Sequence, residues 1–473
     1  MKKSLPVLTA IEIAAATKGA LFQGRADHQF QGLSTDSRSV LNGEIFVPLI
    51  GERYNGHDFL SDVVQKGASG LIVQRSELGK LGSLDSSTIV IIVEDTLKAL
   101  GDIAKFWRKH FSIPVVGITG SSGKTTTKEM AARIVEQEKR LLKNEGNLNN
   151  LIGLPLTILK MDQTHEASIL EMGTNRRGEI ARLTEIANPT IGLITNIGSA
   201  HLEGFKNLET VREEKGDLYK GLANTGMVVV NSDNSTLKIM ANQRKGPVFT
   251  YGIENEADVR AVCIRKEGFQ KLCFDLVMGG EKTGVTLGVP GRHNIYNALA
   301  AAAISRCLGI TGGAIKTGLE AFRPVSGRME IIRLRNGSSI INDAYNANPD
   351  SVEAALNALI DLKGQGRAIV VLGDMLELGR QAEKLHKQVG ESLASKGVER
   401  LFLSGEFSRA VAEGAEKGGL RGDQIFMMGS TDQVASAVQD FLQSGDWVLI
   451  KASRRLRMEE VTQKLIKVIG ITE

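Results

Sequence analysis

The segment Ile113–Glu138, IPVVGITGSSGKTTTKEMAARIVEQE, constrains the fold more than any other stretch. A run rich in β-branched residues enters Gly120-Ser121-Ser122-Gly123-Lys124-Thr125 and leaves as a helix-forming run. Strand, glycine loop and helix in that order let backbone N–H groups wrap phosphates while the helix dipole faces them. Lys124 can then reach the terminal phosphates, and the Thr125 hydroxyl can hold Mg²⁺. The common phosphate loop has four residues between its first glycine and its Gly-Lys pair; here two separate Gly120 from Gly123. An ordinary glycine-rich turn with an exposed lysine is the bland alternative, and the flanking strand and helix count against it. Thr119 to Thr125 is the candidate phosphate site, with ATP as the expected nucleotide.

The same pattern recurs. ASILEMG, TIGLITN and MVVVNSD are short β-branched runs followed by turns and helical stretches, as in a parallel sheet with crossover helices. Past the linker-like Pro324–Gly327 a second alternating series begins: SSIIND, DSVEAALNALIDL, RAIVVLGD, VERLFLSG and WVLIKAS. It reads as a doubly wound, Rossmann-like domain. Before Ile113, EIFVPL and SGLIVQ are strand-like and HDFLSDVVQKGA is helical. The expected fold class is therefore α/β in three domains: mixed α/β over 1–110, a phosphate-loop parallel-sheet domain over 111–323, and a doubly wound domain over 324–473. A chain of 473 residues suits three domains of about 150 each.

Fifty-eight basic against fifty-four acidic residues leave a net charge of +4, which gives no footprint for nucleic acid or an anionic membrane. Cys263, Cys273 and Cys307 have neither CxxC spacing nor a nearby histidine pair and fit reduced core thiols. The start, MKKSLPVLTAIEIAAATKGA, superficially resembles a signal peptide. Glu12 interrupts its apolar run, and Thr9 to Glu12 has the form of a helix capping box. No stretch approaches the ~20 apolar residues of a membrane span. A cytoplasmic monomer is expected.

Glu171 ends the ASILEMG run and His201 follows TIGLITN, so both fall at the carboxyl ends of strands, where open parallel sheets gather ligands. With the Thr125 hydroxyl they make a reasonable Mg²⁺ set. Each alone could equally be a strand-end charge or a loop histidine. Lys215, among Arg212, Glu213 and Glu214, reads locally as a solvated helix lysine. In GRHNIYNALA, Asn294 and Asn297 open an alanine-rich helix, and Asn294 could be its cap. Arg328 and Asp343 place a cation and a carboxylate within reach of a nucleotide.

Taken in order, TGSSGKTTT, GNLNN, EMGTNRRGEI, TNIGSAHLEGF, EKGD, GRHNIYNALA, GRME, NDAYNANPDS and LGDMLELG resemble the Mur ligase superfamily. DAYNANP and LGDMLELG point to the branch that joins D-alanyl-D-alanine to UDP-N-acetylmuramoyl-tripeptide, and the likeness runs from STDSRSV to KASRRLRME. The resemblance implies ATP and two Mg²⁺ ions: one held by Thr125, Glu171 and His201, the other by Lys215 as a carbamate. It makes Lys124, Lys215, His201 and Glu171 catalytic. It brings Asn294, Asn297, Arg328 and Asp343 to adenosine or phosphate, Ser34, Thr35, Asp36, Ser37 and Arg38 to the uridine diphosphate end, and Asn346, Asn348, Lys451 and Ser453 to the dipeptide. The implied reaction passes through an acyl phosphate, with a hinge near Ser326-Gly327.

Two departures stand out. Where such ligases usually read Lys-Gly-Ser-Arg-Gly, this chain has Lys451-Ala452-Ser453-Arg454-Arg455, so a loop needing positive φ would be strained by ~1 kcal/mol at each lost glycine. Arg176-Arg177 stands where a smaller or neutral pair is more usual. Sister ligases, a folylpolyglutamate synthase among them, are the nearest rivals, and STDSRSV argues against the folate enzyme. A nucleotide switch would need base-reading NKxD and a well-placed DxxG, which the sequence does not offer.

Overall fold

Val115–Thr119 is buried at every position, as a strand must be when helices cover both faces of its sheet. In the computed structural model, which describes residues 7–199, 202–268 and 271–472, this strand lies between Ala167–Glu171 and Ile191–Ile194, parallel to both. Leu141–Lys143 extends one flank, and Met227–Asn231, Val248–Gly252 and Val259–Glu267 extend the other, each parallel to its neighbour. The parallel sheet expected from the sequence is present, but it continues further. Lys271–Met278 and Glu281–Leu287 add two antiparallel strands, giving nine. The turn between them, Gly279-Gly280, has φ of +57° and +85°, a tight hairpin conformation that glycine adopts without a Cβ penalty.

The amino-terminal sheet has five strands, parallel except for Ala20–Gln23 at one edge. The expected capping box is made: the Thr9 N–H donates to Glu12 Oε2 at 2.8 Å, and the Glu12 N–H donates to Thr9 Oγ1 at 3.3 Å. It starts the helix Ala10–Thr17. The carboxyl-terminal sheet has six strands, with Glu330–Arg333 antiparallel at one edge and the rest parallel, flanked by apolar cores on both faces. That is the doubly wound arrangement.

Near residue 110 the chain changes sheet without a break in its core. The helix Thr96–Arg108 puts Leu100, Ile103 and Ala104 into the same cluster as Ile180, Leu183 and Ile186. Gly101 permits that approach, since a Cβ there would lie 2.8 Å from Ile186 Cδ1.

The strain expected in KASRR is absent. Neither Ala452 nor Arg455 has positive φ; the left-handed residue is Arg457, at φ +54°. Ala452 is fully buried, and its methyl fills the space a Cβ on Gly373 would need, 2.8 Å away. The glycine of this contact sits on the partner strand instead.

Candidate active site

The carboxyl ends of the central strands open into a cleft of about 630 Å³, closed on its far side by the carboxyl-terminal sheet. At its floor the helix Lys124–Val135 begins at Gly123 with no side-chain cap, so its first N–H groups have neither a capping nor an intrahelical acceptor. Gly123 has φ +76°, and a Cβ there would lie 2.6 Å from Asn297 Oδ1, so the loop needs glycine on both counts. The loop is clamped from the strand Ile191–Ile194 side. Ser121 and Ser122 N–H groups donate to Asn196 Oδ1 at 3.1 and 2.9 Å, and Thr195 Oγ1 donates to the Ser122 carbonyl at 2.6 Å. Thr119 stays in the strand, its hydroxyl donating to the Met172 carbonyl at 2.9 Å.

Glu171 is 2% exposed. Its carboxylate accepts from Thr125 Oγ1 and from Asn149 Nδ2, both at 2.8 Å. Asn144 fixes its backbone from both sides, accepting the Glu171 N–H at 2.9 Å and donating to its carbonyl at 2.8 Å. A buried carboxylate held by neutral donors is suited to a cation, because burial without a counter-charge is costly.

Lys215 is 1% exposed, so the solvated alternative does not hold. Its Nζ donates to the Gly120 carbonyl at 3.1 Å, and Lys124 Nζ donates to the same oxygen at 2.7 Å. Burial, and then the neighbouring Lys124 cation, hold the Lys215 amine well below the usual lysine range. Lys124 is also lowered, chiefly by desolvation. Glu214, beside Lys215, is buried and accepts from Thr174 Oγ1 and from the Gly178 and Ile180 N–H groups. This bonds the helix carrying Lys215 to the loop that follows Glu171.

From the carboxyl-terminal sheet, Asp343 and Lys451 are direct partners in the parallel register, and Lys451 Nζ donates to Asp343 Oδ2 at 2.5 Å and to the Asn346 carbonyl at 3.0 Å. Arg328 lies over the Tyr345 ring at 4.0 Å. Facing them is half-buried His293, whose pKa desolvation pushes down to about 4 against the opposing pull of Asp343. Asn294 does not cap its helix. The cap is Gly291, while Asn294 Nδ2 donates to the Pro290 carbonyl at 2.6 Å and Oδ1 accepts from Asn297.

The cleft thus collects Ser121, Ser122, Gly123, Lys124, Thr125, Glu171, Lys215, Asn294, Asn297, Arg328, Asp343, Asn346, Asn348 and Lys451. Some expected residues are placed elsewhere. Asn348 reaches the cleft wall but spends its side-chain oxygen capping the next helix. Ser453 is buried away from the cleft, with its hydroxyl accepting the Leu376 N–H at 2.8 Å. Ser34 to Arg38 form a separate turn in the amino-terminal sheet region, closed by an exposed Asp36–Arg38 pair that holds Asp36 down to about 2. Arg176 and Arg177 are exposed, Arg177 pairing with Glu213. His201 lies outside the described residues. Asn149, Asn196 and His293 also serve the site, and each sits inside one of the motifs GNLNN, TNIGSAHLEGF and GRHNIYNALA without a local signal that singles it out.

Comparison with known proteins agrees with this geometry. Residues 118–305 match the Mur ligase middle domain and 327–454 the Mur ligase glutamate ligase domain. The chain is 34% identical, over 97% of its length and 98% of the relative, to UDP-N-acetylmuramoyl-tripeptide--D-alanyl-D-alanine ligase of Bacillus subtilis. It is 36% identical to the Escherichia coli protein of that name, over 93% of this chain and 94% of that protein. The crystal structure of MurF from Acinetobacter baumannii superposes with a TM-score of 0.88 at 29% identity, over 98% of this chain and all of that one. MurF ligase from Thermotoga maritima in complex with ADP gives 0.82 at 28% identity, over 92% and 97%. The chain belongs to the Mur ligase family.

Proposed function

We propose that this chain is an ATP-dependent, ADP-forming ligase that joins D-alanyl-D-alanine to UDP-N-acetylmuramoyl-tripeptide, giving the pentapeptide precursor of peptidoglycan in the cytoplasm. The observation that carries the reading is the single cleft in which an uncapped helix start, Lys124 and buried Glu171 and Lys215 face Arg328, Asp343 and Lys451 from the other sheet. The names of the full-length relatives support it.

Residues 1–110 hold the uridine diphosphate end through Ser34 to Arg38, 111–323 hold ATP, and 324–473 hold the dipeptide, with Asn346 and Lys451 nearest it. Ser453, turned away from the cleft, supports Leu376 instead of touching substrate. No helix among the described residues is long and apolar enough to cross a membrane. A monomer suffices, because one chain supplies every side of the cleft.

In the first step a carboxylate oxygen of the tripeptide attacks the γ-phosphorus, the bond to the β-phosphate oxygen breaks, and ADP leaves an acyl phosphate. Two anions meet in that step. Lys124 and the helix start offset their repulsion. The dipeptide amine then attacks the acyl carbon, and phosphate departs from the tetrahedral intermediate. Thr125 and Glu171, hydrogen-bonded side by side, fit a first Mg²⁺, and His201 joins them on the family resemblance alone. Lys215 fits a second once its neutral amine has captured CO₂ as a carbamate, which the lowered pKa favours. Mg²⁺ bound there supplies Lewis-acid charge to the phosphates. Asn149 holds the Glu171 carboxylate and Asn144 its backbone, and Asn196 keeps the loop in shape.

The test is product identity. Enzyme given ATP, Mg²⁺, UDP-N-acetylmuramoyl-tripeptide and D-alanyl-D-alanine forms the pentapeptide by mass, with one ADP released for each amide. Ligation of a single amino acid or of glutamate in place of the dipeptide would assign the chain to a sister activity.

A further inference from the structure

Outside the cleft, one contact joins the carboxyl-terminal sheet to the back of the phosphate loop. Asp350, in the first turn of the helix Pro349–Lys363, accepts the Ser199 N–H through Oδ2 at 3.0 Å. Gly198 lets it in: a Cβ on Gly198 would lie 1.9 Å from that oxygen. The other neighbour of that Cβ, Ser121 Cβ at 3.7 Å, is at ordinary contact distance, and Gly198 does not have positive φ. Among the described residues, Asp350 therefore stands in the way of a side chain there. Gly198 is also bonded to the loop itself, since Ser121 Oγ donates to the Gly198 carbonyl at 3.0 Å and accepts its N–H at 2.9 Å.

A second cross-sheet contact flanks the cleft. The Glu203 N–H donates to the Glu377 carbonyl at 2.9 Å, and Gly379 comes so close that a Cβ would lie 2.9 Å from Glu203 Cα. Leu385 packs on Leu202, Phe205 and Val211. The segment after Ile194 is thus held at one end by the phosphate loop, through Asn196 and Gly198, and seats the carboxyl-terminal lobe at Ser199 and at Leu202–Phe205.

We propose that Asp350 is a positioning residue for ligation: its docking on Gly198-Ser199 latches the carboxyl-terminal lobe over the phosphate loop, so that the dipeptide amine is presented while water is excluded. This deepens the ligase reading and rests on it. The latch touches neither substrate nor the reacting atoms. It acts through the lobe that carries Arg328, Asp343 and Lys451, and through Ser121 at the start of the loop. An exposed carboxylate in a helix first turn also favours its own helix through the dipole. Gly198 separates the two roles, because a methyl there obstructs docking and leaves the helix untouched.

The experiment is a double-mutant cycle on the full chain with Asp350→Ala, Gly198→Ala and the pair, reading amide formed, phosphate released and interlobe distance by small-angle scattering with ATP analogue and UDP-tripeptide. Losing one charge-assisted bond across a closing interface is expected to lower ligation on the order of ten-fold in Asp350→Ala, mainly as a higher KM for the dipeptide, with more than one phosphate released per amide. Gly198→Ala is at least as impaired and stays more open in scattering. Adding Asp350→Ala to it restores activity to the Asp350→Ala level, because the obstructing carboxylate is gone. Wild-type ligation in Asp350→Ala, or a double variant whose losses multiply, overturns the latch. Absence of ligation in the unmutated enzyme would instead overturn the ligase reading, and the scattering comparison stands apart from both.

Discussion

Lys124 and Lys215 share one carbonyl oxygen, that of Gly120, yet the account gives them different work. In the proposed mechanism Lys124 meets developing charge on the phosphates. Its replacement by alanine removes a cation from the transition state and nothing from a core, so kcat is expected to fall by ~10²–10³ with an unchanged melting temperature. Near-normal turnover in Lys124→Ala would remove the phosphate-loop assignment. In the proposed mechanism Lys215 acts through a carbamate. Lys215→Ala is expected to lose activity by a factor on the order of 10²–10³, as for other groups that stabilise transition-state charge, and to regain part of it with acetate or propionate. Wild-type enzyme stripped of CO₂ slows and recovers with bicarbonate. Full activity of Lys215→Ala in bicarbonate-free buffer would show that the buried amine has no part in catalysis. The role of Lys215 is the one local sequence hides best. Its charged neighbours Arg212 and Glu213 are those of a surface helix, and only the tertiary fold turns Glu214 and Lys215 inward.

At the scale of elements, the strand, loop and helix around Gly120 are legible in the sequence because everything that shapes them lies within one short stretch. Asn196 and Asn149 are not, because the hydrogen bonds that give them meaning span 75 and 22 residues. The two added antiparallel strands have a local signal, Gly279-Gly280 between strand-like runs, which the expectation of crossover helices obscures. The strain expected in KASRR fails for a similar reason: which of two touching backbones carries the glycine, Gly373 or residue 452, is settled across strands.

His386, on the helix Ala382–Ser395, carries a prediction at this scale. It is fully buried, donates from Nδ1 to the Ala382 carbonyl at 2.7 Å and accepts the Met375 N–H at Nε2 at 2.9 Å, so the fold requires the neutral ring. Desolvation lowers its pKa. A depressed folded pKa means the stabilisation is whole above the unfolded value of about 6.5 and is lost as pH falls toward the folded one, at about 1.4 kcal/mol per pH unit for one proton. Melting of the carboxyl-terminal lobe should therefore drop between pH 7 and 5 more steeply in wild type than in His386→Asn. Parallel curves would show that another group governs acid stability.

For the whole molecule, the three larger sheets and the cleft between two of them frame the proposed division of labour. The division into an α/β protein with a mixed first sheet, a second that is parallel but for two added antiparallel strands, and a doubly wound third follows, except for those two strands, from the order of apolar runs and turns. The way the sheets meet does not. The core shared across residue 110 and the seating of the last lobe on Gly198-Ser199 and on Leu202–Phe205 depend on complementary surfaces that no single segment displays. The central claim is that the cleft activates a carboxylate before any amine arrives. It is tested most directly by positional isotope exchange in ATP labelled at the β–γ bridge, with UDP-N-acetylmuramoyl-tripeptide present and D-alanyl-D-alanine absent. The account predicts scrambling of the label and an acyl phosphate that borohydride traps. Scrambling that begins only when the dipeptide is added would contradict it.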